Sequence, residues 1–324
     1  MRRATVTRFG PAADVVEVGD YSPGALEAGE VAVRMTAASI NPSDLVTIAG
    51  AYPSRTPLPL VPGFEGVGRV IETGPGVDIV SIGDRVVPIG SSGAWQQVKT
   101  TAARWCFRVL PELTDEQAAL SYINPLTAFR MVEDFVNPRG VPTVAVNAAG
   151  SAIAGMVARL LHQRGVPPVA LVRGAVDRES TSGPEWAAVL DTRKPDWEQE
   201  LVHVTDGGPE VAFDAIGGED GTRLVSTLRH GGSLVHYGLL SGRPLPATLR
   251  QQRPDVQIHF YRLRDWVHSA GYVDLQDGLD TAGRLVLDGT AVSRLRQTFP
   301  LEEVHAALCA AQERGGQGKV LLLP

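Results

Sequence analysis

The stretch that most constrains the fold of this chain is residues 143–165. There the apolar run TVAV leads into a turn of small residues, NAAGSAIAG, and then into the run MVARLLHQRG. Ile153, Val157, Leu160 and Leu161 stand at i, i+4, i+7 and i+8, one face of a helix, and Gly165 followed by Pro167 stops it. The segment reads as strand, tight turn and helix. Short apolar runs recur at 168–172 (PVALV), 211–217 (VAFDAIG) and 233–238 (SLVHYG), with helix-period stretches between several of them. Strands that are apolar throughout are buried on both faces, which means a parallel sheet under helices. The expected fold class is therefore α/β with a doubly wound parallel sheet.

Residues 1 to about 115 have a different texture. VAVRM (31–35), GVGRVIETG (66–74) and DRVVPIG (84–90) are strand-like and separated by Pro/Gly-rich turns, which predicts a β domain. A chain of 324 residues is long enough for both domains. Its 44% apolar content fits a soluble globular protein, and no run of residues reads as a membrane span. Lys and Arg number 30 against 36 Asp and Glu, a net charge of −6 without a long basic block, so nucleic acid is not an expected partner. Arg2 and Arg3 precede Thr5, Thr7 and Arg8 rather than an apolar signal core, and the expected location is cytoplasmic. Cys106 and Cys309 either pair or, in a reducing compartment, serve as small apolar residues; the second reading suits two thiols in this length.

A dinucleotide loop uses glycine for a tight turn and for backbone approach to pyrophosphate, with a helix N-terminus supplying N–H groups. No literal GxGxxG is present. Ala148, Ser151 and Ala154 hold slots that glycine often fills, with Gly150 and Gly155 beside them. Ser151 either caps the helix or donates to phosphate. On the loop alone, a cofactor site written in small residues and a turn without ligand stand equal. PGFEGVGRV (62–70) has more glycine, but a β-type run follows, so it reads as a turn into a barrel strand. At the end of the second apolar run LVRGAVDRE places Arg173, with Arg178 five residues on. NAD needs an acid there and NADP a positive charge, so a guanidinium favours NADPH. The other reading is an arginine at an exposed strand end beside Asp177 and Glu179.

INPSDLVTIAGAYP (40–53), LPLVPGFEGVGRVIETG (58–74), INPLTAFRMVEDF (123–135), VNAAGSAIAG (146–155), LVRG (171–174), DAIGG (214–218), VHYGLL (235–240) and GKVLLLP (318–324) together resemble the medium-chain dehydrogenase/reductase superfamily. Within it the resemblance is to the zinc-independent branch of mitochondrial-type 2-enoyl thioester reductases and quinone oxidoreductases. The resemblance implies a GroES-like β domain over 1–117 and 268–324, with a Rossmann domain over 118–267. Zinc alcohol dehydrogenases of the superfamily carry GHE where this chain reads Gly63, Phe64, Glu65, and a cysteine near what is here Asn41. Both ligand types are gone, two cysteines cannot build a four-thiolate lobe, and no metal is expected.

What the resemblance implies instead is hydride addition from NADPH to an activated C=C bond of an enoyl thioester or enone. Tyr52 matches the tyrosine of similar reductases, and a phenol stays protonated at neutral pH and can donate; its other reading is a rim aromatic. Asn124 would orient the nicotinamide region, Gly150, Ser151, Ala152 and Ile153 would line the pyrophosphate, and Arg173 with Gly174 would meet the 2′-phosphate. Tyr237, Gly238, Leu239 and Leu240 would lie along the nucleotide. Phe260 and Tyr261 match an aromatic pair, and Lys319 a lysine, near the cofactor. The chain departs from the pattern at Arg262 and Arg264, and at Ala175 where a second arginine is usual; Arg178 is the candidate substitute. Val256 to Tyr261 resembles the edge strand through which such domains pair into homodimers. The alternatives are an NADPH:quinone oxidoreductase and a catalytically silent NADPH-binding protein.

Overall fold

The computed structural model describes residues 1–137, 142–174, 181, 183–313 and 318–324, and the chain divides into two units. One unit is Met1–Leu126 with Arg264–Pro324, the other Thr127–Leu263. In the first, β1 (Arg2–Val6) and β2 (Val16–Asp20) form an antiparallel ribbon. The ten-residue β3 (Glu30–Ser39) pairs antiparallel with β4 (Gly66–Thr73) and also with β6 (Val98–Ala102). From β4 the sheet continues through β5 (Arg85–Pro88) to β7 (Cys106–Arg108). The glycine-rich 62–70 stretch is, as expected, a turn running into β4 rather than into a helix. Gly63 has a left-handed φ of 94°, and a Cβ there would lie 2.4 Å from the ring of the fully buried Trp95. That close approach sets the path by which Glu65, two residues on, turns inward.

In the second unit six strands form a wholly parallel sheet. They are β8 (Val144–Val146), β9 (Val169–Val172), β10 (Ala188–Asp191), β11 (Val211–Asp214), β12 (Ser233–His236) and β13 (Gln257–Phe260). Their order is β10-β9-β8-β11-β12-β13, which makes the chain reverse direction across the sheet between β8 and β11. Every residue of β8, β9 and β11 is buried, the physical reason these strands read as continuous apolar runs. Ligands of open parallel sheets bind at the C-terminal strand ends beside such a reversal. The helix after β8 spans Ala152–Gln163 and buries Met156, Val157, Leu160 and Leu161 against the sheet.

The last strands return to the first unit. β14 (Leu295–Pro300) pairs parallel with β15 (Lys319–Leu323), and β15 pairs antiparallel with the end of β3. Lys319, the first residue of β15, is thereby brought near Ser39 and Asn41. Together the two units give the α/β architecture anticipated from the sequence, a GroES-like β unit and a Rossmann-type parallel sheet.

Candidate cofactor and active-site residues

The loop after β8 answers the missing glycines directly. Ala148 takes a left-handed φ of 48°, the conformation a glycine would supply, and only Asp206 joins it among described non-glycine residues. Ser151 is the N-cap of the following helix, its Oγ accepting from Ala154 N at 3.3 Å. Gly150 and Ala152 are exposed and Ser151 and Ile153 half-buried, so the first turn of the helix is open to solvent. An L-residue in the left-handed region costs roughly 1–2 kcal/mol, partly offset by the extra unfolded-state freedom glycine would bring. Ala148→Gly is therefore expected to stabilise the chain by roughly 0.5–1 kcal/mol in urea melts; a loss of more than about 1 kcal/mol would show that the methyl is held by packing instead.

Arg173 stands exposed directly after β9, and Gly174 follows with a φ of 109°. The neighbouring strand supplies what the sequence reading lacked. A Cβ on Gly174 would lie 3.0 Å from the guanidinium carbon of Arg193. Arg193 is set by Asp191 at the end of β10, its Nε and Nη2 donating to the two carboxylate oxygens at 3.1 and 2.8 Å. Two arginines thus stand just beyond the ends of adjacent parallel strands. Arg178 and Ala175 lie outside the described residues, so Arg193 is the second cation found here.

Gly238 passes close to the residue that follows the neighbouring strand β11: a Cβ there would meet Ala215 O at 2.6 Å. Leu240 is 55% and Phe260 57% exposed, while Leu239 is half-buried. The hydroxyls of Tyr237 and Tyr261 are buried without a hydrogen-bond partner, and burial pushes both phenols upward. Buried hydroxyls without partners are uncommon and call for an explanation. An open helix N-terminus, two arginines at strand ends and the unsatisfied hydroxyl of Tyr237 beside Asp214 fit a ligand with phosphates and several polar groups, while Tyr261 packs edge-on against Phe135.

In the first unit Tyr52 is 46% exposed and precedes the short turn Pro53–Arg55. Asn124 is the second residue of the helix Ile123–Phe135 and is half-buried. Lys319 donates to Asn41 Oδ1 at 2.5 Å, and burial lowers its pKa against the pull of Glu65 and Asp44. Asn41 Nδ2 donates to Ser39 Oγ at 2.6 Å and to Glu65 Oε2 at 2.8 Å. Glu65 is 3% exposed and takes four donors in all. Ser39 Oγ at 2.7 Å joins Asn41 on one oxygen, and the backbone N–H groups of Tyr122 (3.0 Å) and Ile123 (2.7 Å) share the other. A carboxylate on the N–H groups that open a helix satisfies orphan donors and complements the helix dipole. Asp44 accepts from Asn41 N and Phe64 N at 2.8 and 3.0 Å, yet burial pushes its pKa up to about 7. The sequence showed Glu65 only as the remnant of a metal motif; its part as a helix cap depends on a contact 57 residues away.

Residues 27–112 match the alcohol dehydrogenase GroES-like domain family, and residues 185–322 match a family described as zinc-binding dehydrogenase. The mitochondrial enoyl-[acyl-carrier-protein] reductase of Arabidopsis thaliana is 31% identical over 310 residues, covering 94% of this chain and 82% of that protein. The chain is a medium-chain dehydrogenase/reductase. Among solved structures, a Bacillus thuringiensis protein named as an NADPH:quinone reductase superposes on this medium-chain dehydrogenase/reductase with a TM-score of 0.93 and 33% identity. The match covers all of this chain and 98% of the other. The human synaptic vesicle membrane protein VAT-1 homolog is 28% identical over 319 residues, 94% of this chain and 81% of that protein. Among the described residues of this medium-chain dehydrogenase/reductase no helix is long and apolar enough to cross a membrane.

Proposed function

We propose that this oxidoreductase uses NADPH to reduce the activated C=C bond of a 2-enoyl thioester or related enone, without a metal. The observation that carries the reading is the Asn41–Glu65–Lys319 cluster. At the position of a zinc ligand Phe64 offers no donor atom, Glu65 is saturated by four hydrogen bonds, and the cation bonded to Asn41 is an ammonium. A tetrahedral zinc site needs three or four N, S or O donors free to ligate, and these residues do not fit one. Alcohol oxidation, which relies on such a Lewis acid, is accordingly disfavoured. A C=C bond conjugated to a carbonyl asks less: a donor for the enolate oxygen and a proton for the α-carbon.

When bound, NADPH supplies hydride to the β-carbon. The chain's own residues would hold it: the Ser151-capped helix start would take pyrophosphate, Arg173 and Arg193 would take the 2′-phosphate, and the Tyr237 hydroxyl would gain a partner along the nucleotide. Tyr52 is the proposed proton donor. The Arabidopsis thaliana relative supports an enoyl thioester as substrate. The Bacillus thuringiensis neighbour favours a quinone as the second reading. Loss of NADPH absorbance with crotonyl-CoA and with 1,4-benzoquinone separates them, and the thioester is expected to turn over faster. A faster quinone reaction overturns the substrate assignment, and NADPH binding without turnover on either makes this a silent binding protein. Tyr52→Phe is expected to slow turnover about 100-fold with NADPH affinity nearly intact; unchanged turnover would remove Tyr52 from the chemistry.

A further inference from the structure

Asp214 closes β11 and is completely buried. Its Oδ1 accepts from Asn147 Nδ2 at 2.5 Å and from Ile216 N and Gly217 N at 3.0 and 3.1 Å. Its Oδ2 accepts from His236 Nδ1 at 2.6 Å and, more weakly placed, from Gly217 N at 3.2 Å. Asn147 opens the loop after β8 and also accepts from Ala215 N at 2.8 Å. His236 ends β12, immediately before Tyr237 and Gly238. One carboxylate therefore ties together the three segments that leave β8, β11 and β12 on the ligand-facing edge of the sheet.

Burial alone would raise the pKa of Asp214, but the hydrogen bonds from His236, Asn147 and Gly217 hold it below the usual carboxylate range. An anion at Oδ2 fixes the proton of His236 on Nδ1. The imidazole is held from its other sides as well. It stands edge-on to Phe260, ring centroids 5.6 Å apart, and its Cε1 lies 3.0 Å from where a Cβ of Gly217 would be. Gly217 has a φ of 72°, so the turn that gives Asp214 its backbone donors also leaves room for the ring.

We infer that His236 is a positioning residue for dinucleotide binding, acting through Asp214 to set the relative placement of the loops at 147–151 and 215–217. The inference rests on the nucleotide reading of this edge. Without the His236 donor, Asp214 keeps its bonds to Asn147 and the backbone, but its second oxygen retains only the longer bond from Gly217 N, so the carboxylate that joins the two loops is held less firmly in its orientation. His236→Val removes the donor, whereas His236→Asn offers an amide N–H at about the position of Nδ1.

The test is NADPH affinity by fluorescence titration, with melting temperature measured in parallel without nucleotide. His236→Val is expected to weaken NADPH about tenfold, the scale of one hydrogen bond to a charged group, and His236→Asn to restore affinity to within about twofold. Should the valine variant not fold, His236→Gln carries the same expectation as valine, because its amide nitrogen lies near the Nε2 position and beyond Asp214. A valine or glutamine variant that binds NADPH as tightly as the wild type overturns the inference, even if it melts earlier, as does an asparagine variant no better than valine. Wild-type protein that does not bind NADPH would sink the nucleotide reading itself, and the inference with it.

Discussion

Arg173→Ala is expected to weaken NADPH binding about 10- to 100-fold, the value of one or two charge-assisted hydrogen bonds, while leaving NADH affinity nearly unchanged. The selectivity follows from position. Arg173 leaves β9 at the strand end where a dinucleotide ribose is read, and only NADPH carries a phosphate there. Arg193→Ala is expected to behave differently. Its guanidinium is already committed to Asp191, so less phosphate binding is lost, and the Asp191 carboxylate, without that guanidinium, then repels the 2′-phosphate and accepts from a ribose hydroxyl instead. The variant should lose affinity for NADPH and gain some for NADH. Isothermal titration of both nucleotides against both variants measures this; equal losses for NADPH and NADH at Arg173 would remove it from the phosphate site.

What the sequence disclosed and what it hid follow one physical division. β8, β9 and β11 were legible because burial on both faces writes an unbroken apolar run, and the helix after β8 because its apolar residues fall on one face. β10 was not seen. Only two of its four residues are buried, so its apolar run, Trp186 to Leu190, does not mark a doubly buried strand as those of β8, β9 and β11 do. Missing β10 meant missing Arg193, whose place beside Gly174 comes from the parallel pairing of Ala188–Asp191 with Val169–Val172. Ala148 was legible as a small residue but its left-handed backbone was not, since alanine carries no signal for that conformation. The anchor on Asp214 joins residues 67 and 22 positions away, and nothing local marks them as partners. Tyr52, Asn124 and Lys319 came from resemblance alone. The structure sets Lys319 on Asn41, and Tyr52 is half exposed.

Glu65 is where a single substitution is expected to cost the most stability. Glu65→Ala leaves two backbone N–H groups, the Asn41 amide and the Ser39 hydroxyl without their acceptor inside the protein, and strips Lys319 of a nearby opposite charge. Breaking a buried ionic network by removing one member costs roughly 3–5 kcal/mol, a large share of the roughly 5–15 kcal/mol that holds a typical domain folded. Glu65→Gln has the same shape and tests whether charge or shape matters. Its carboxamide oxygen can serve Tyr122 and Ile123, and Ser39 can rotate to accept from the new NH2, which leaves one donor facing the Asn41 amide. That variant is expected to lose only about 1–2 kcal/mol, the cost of one unsatisfied buried group. Urea midpoints at constant m-value give both numbers. The order wild type, glutamine, alanine is required; an alanine variant within about 1 kcal/mol of wild type would mean that water, and not Glu65, satisfies the start of the helix carrying Asn124.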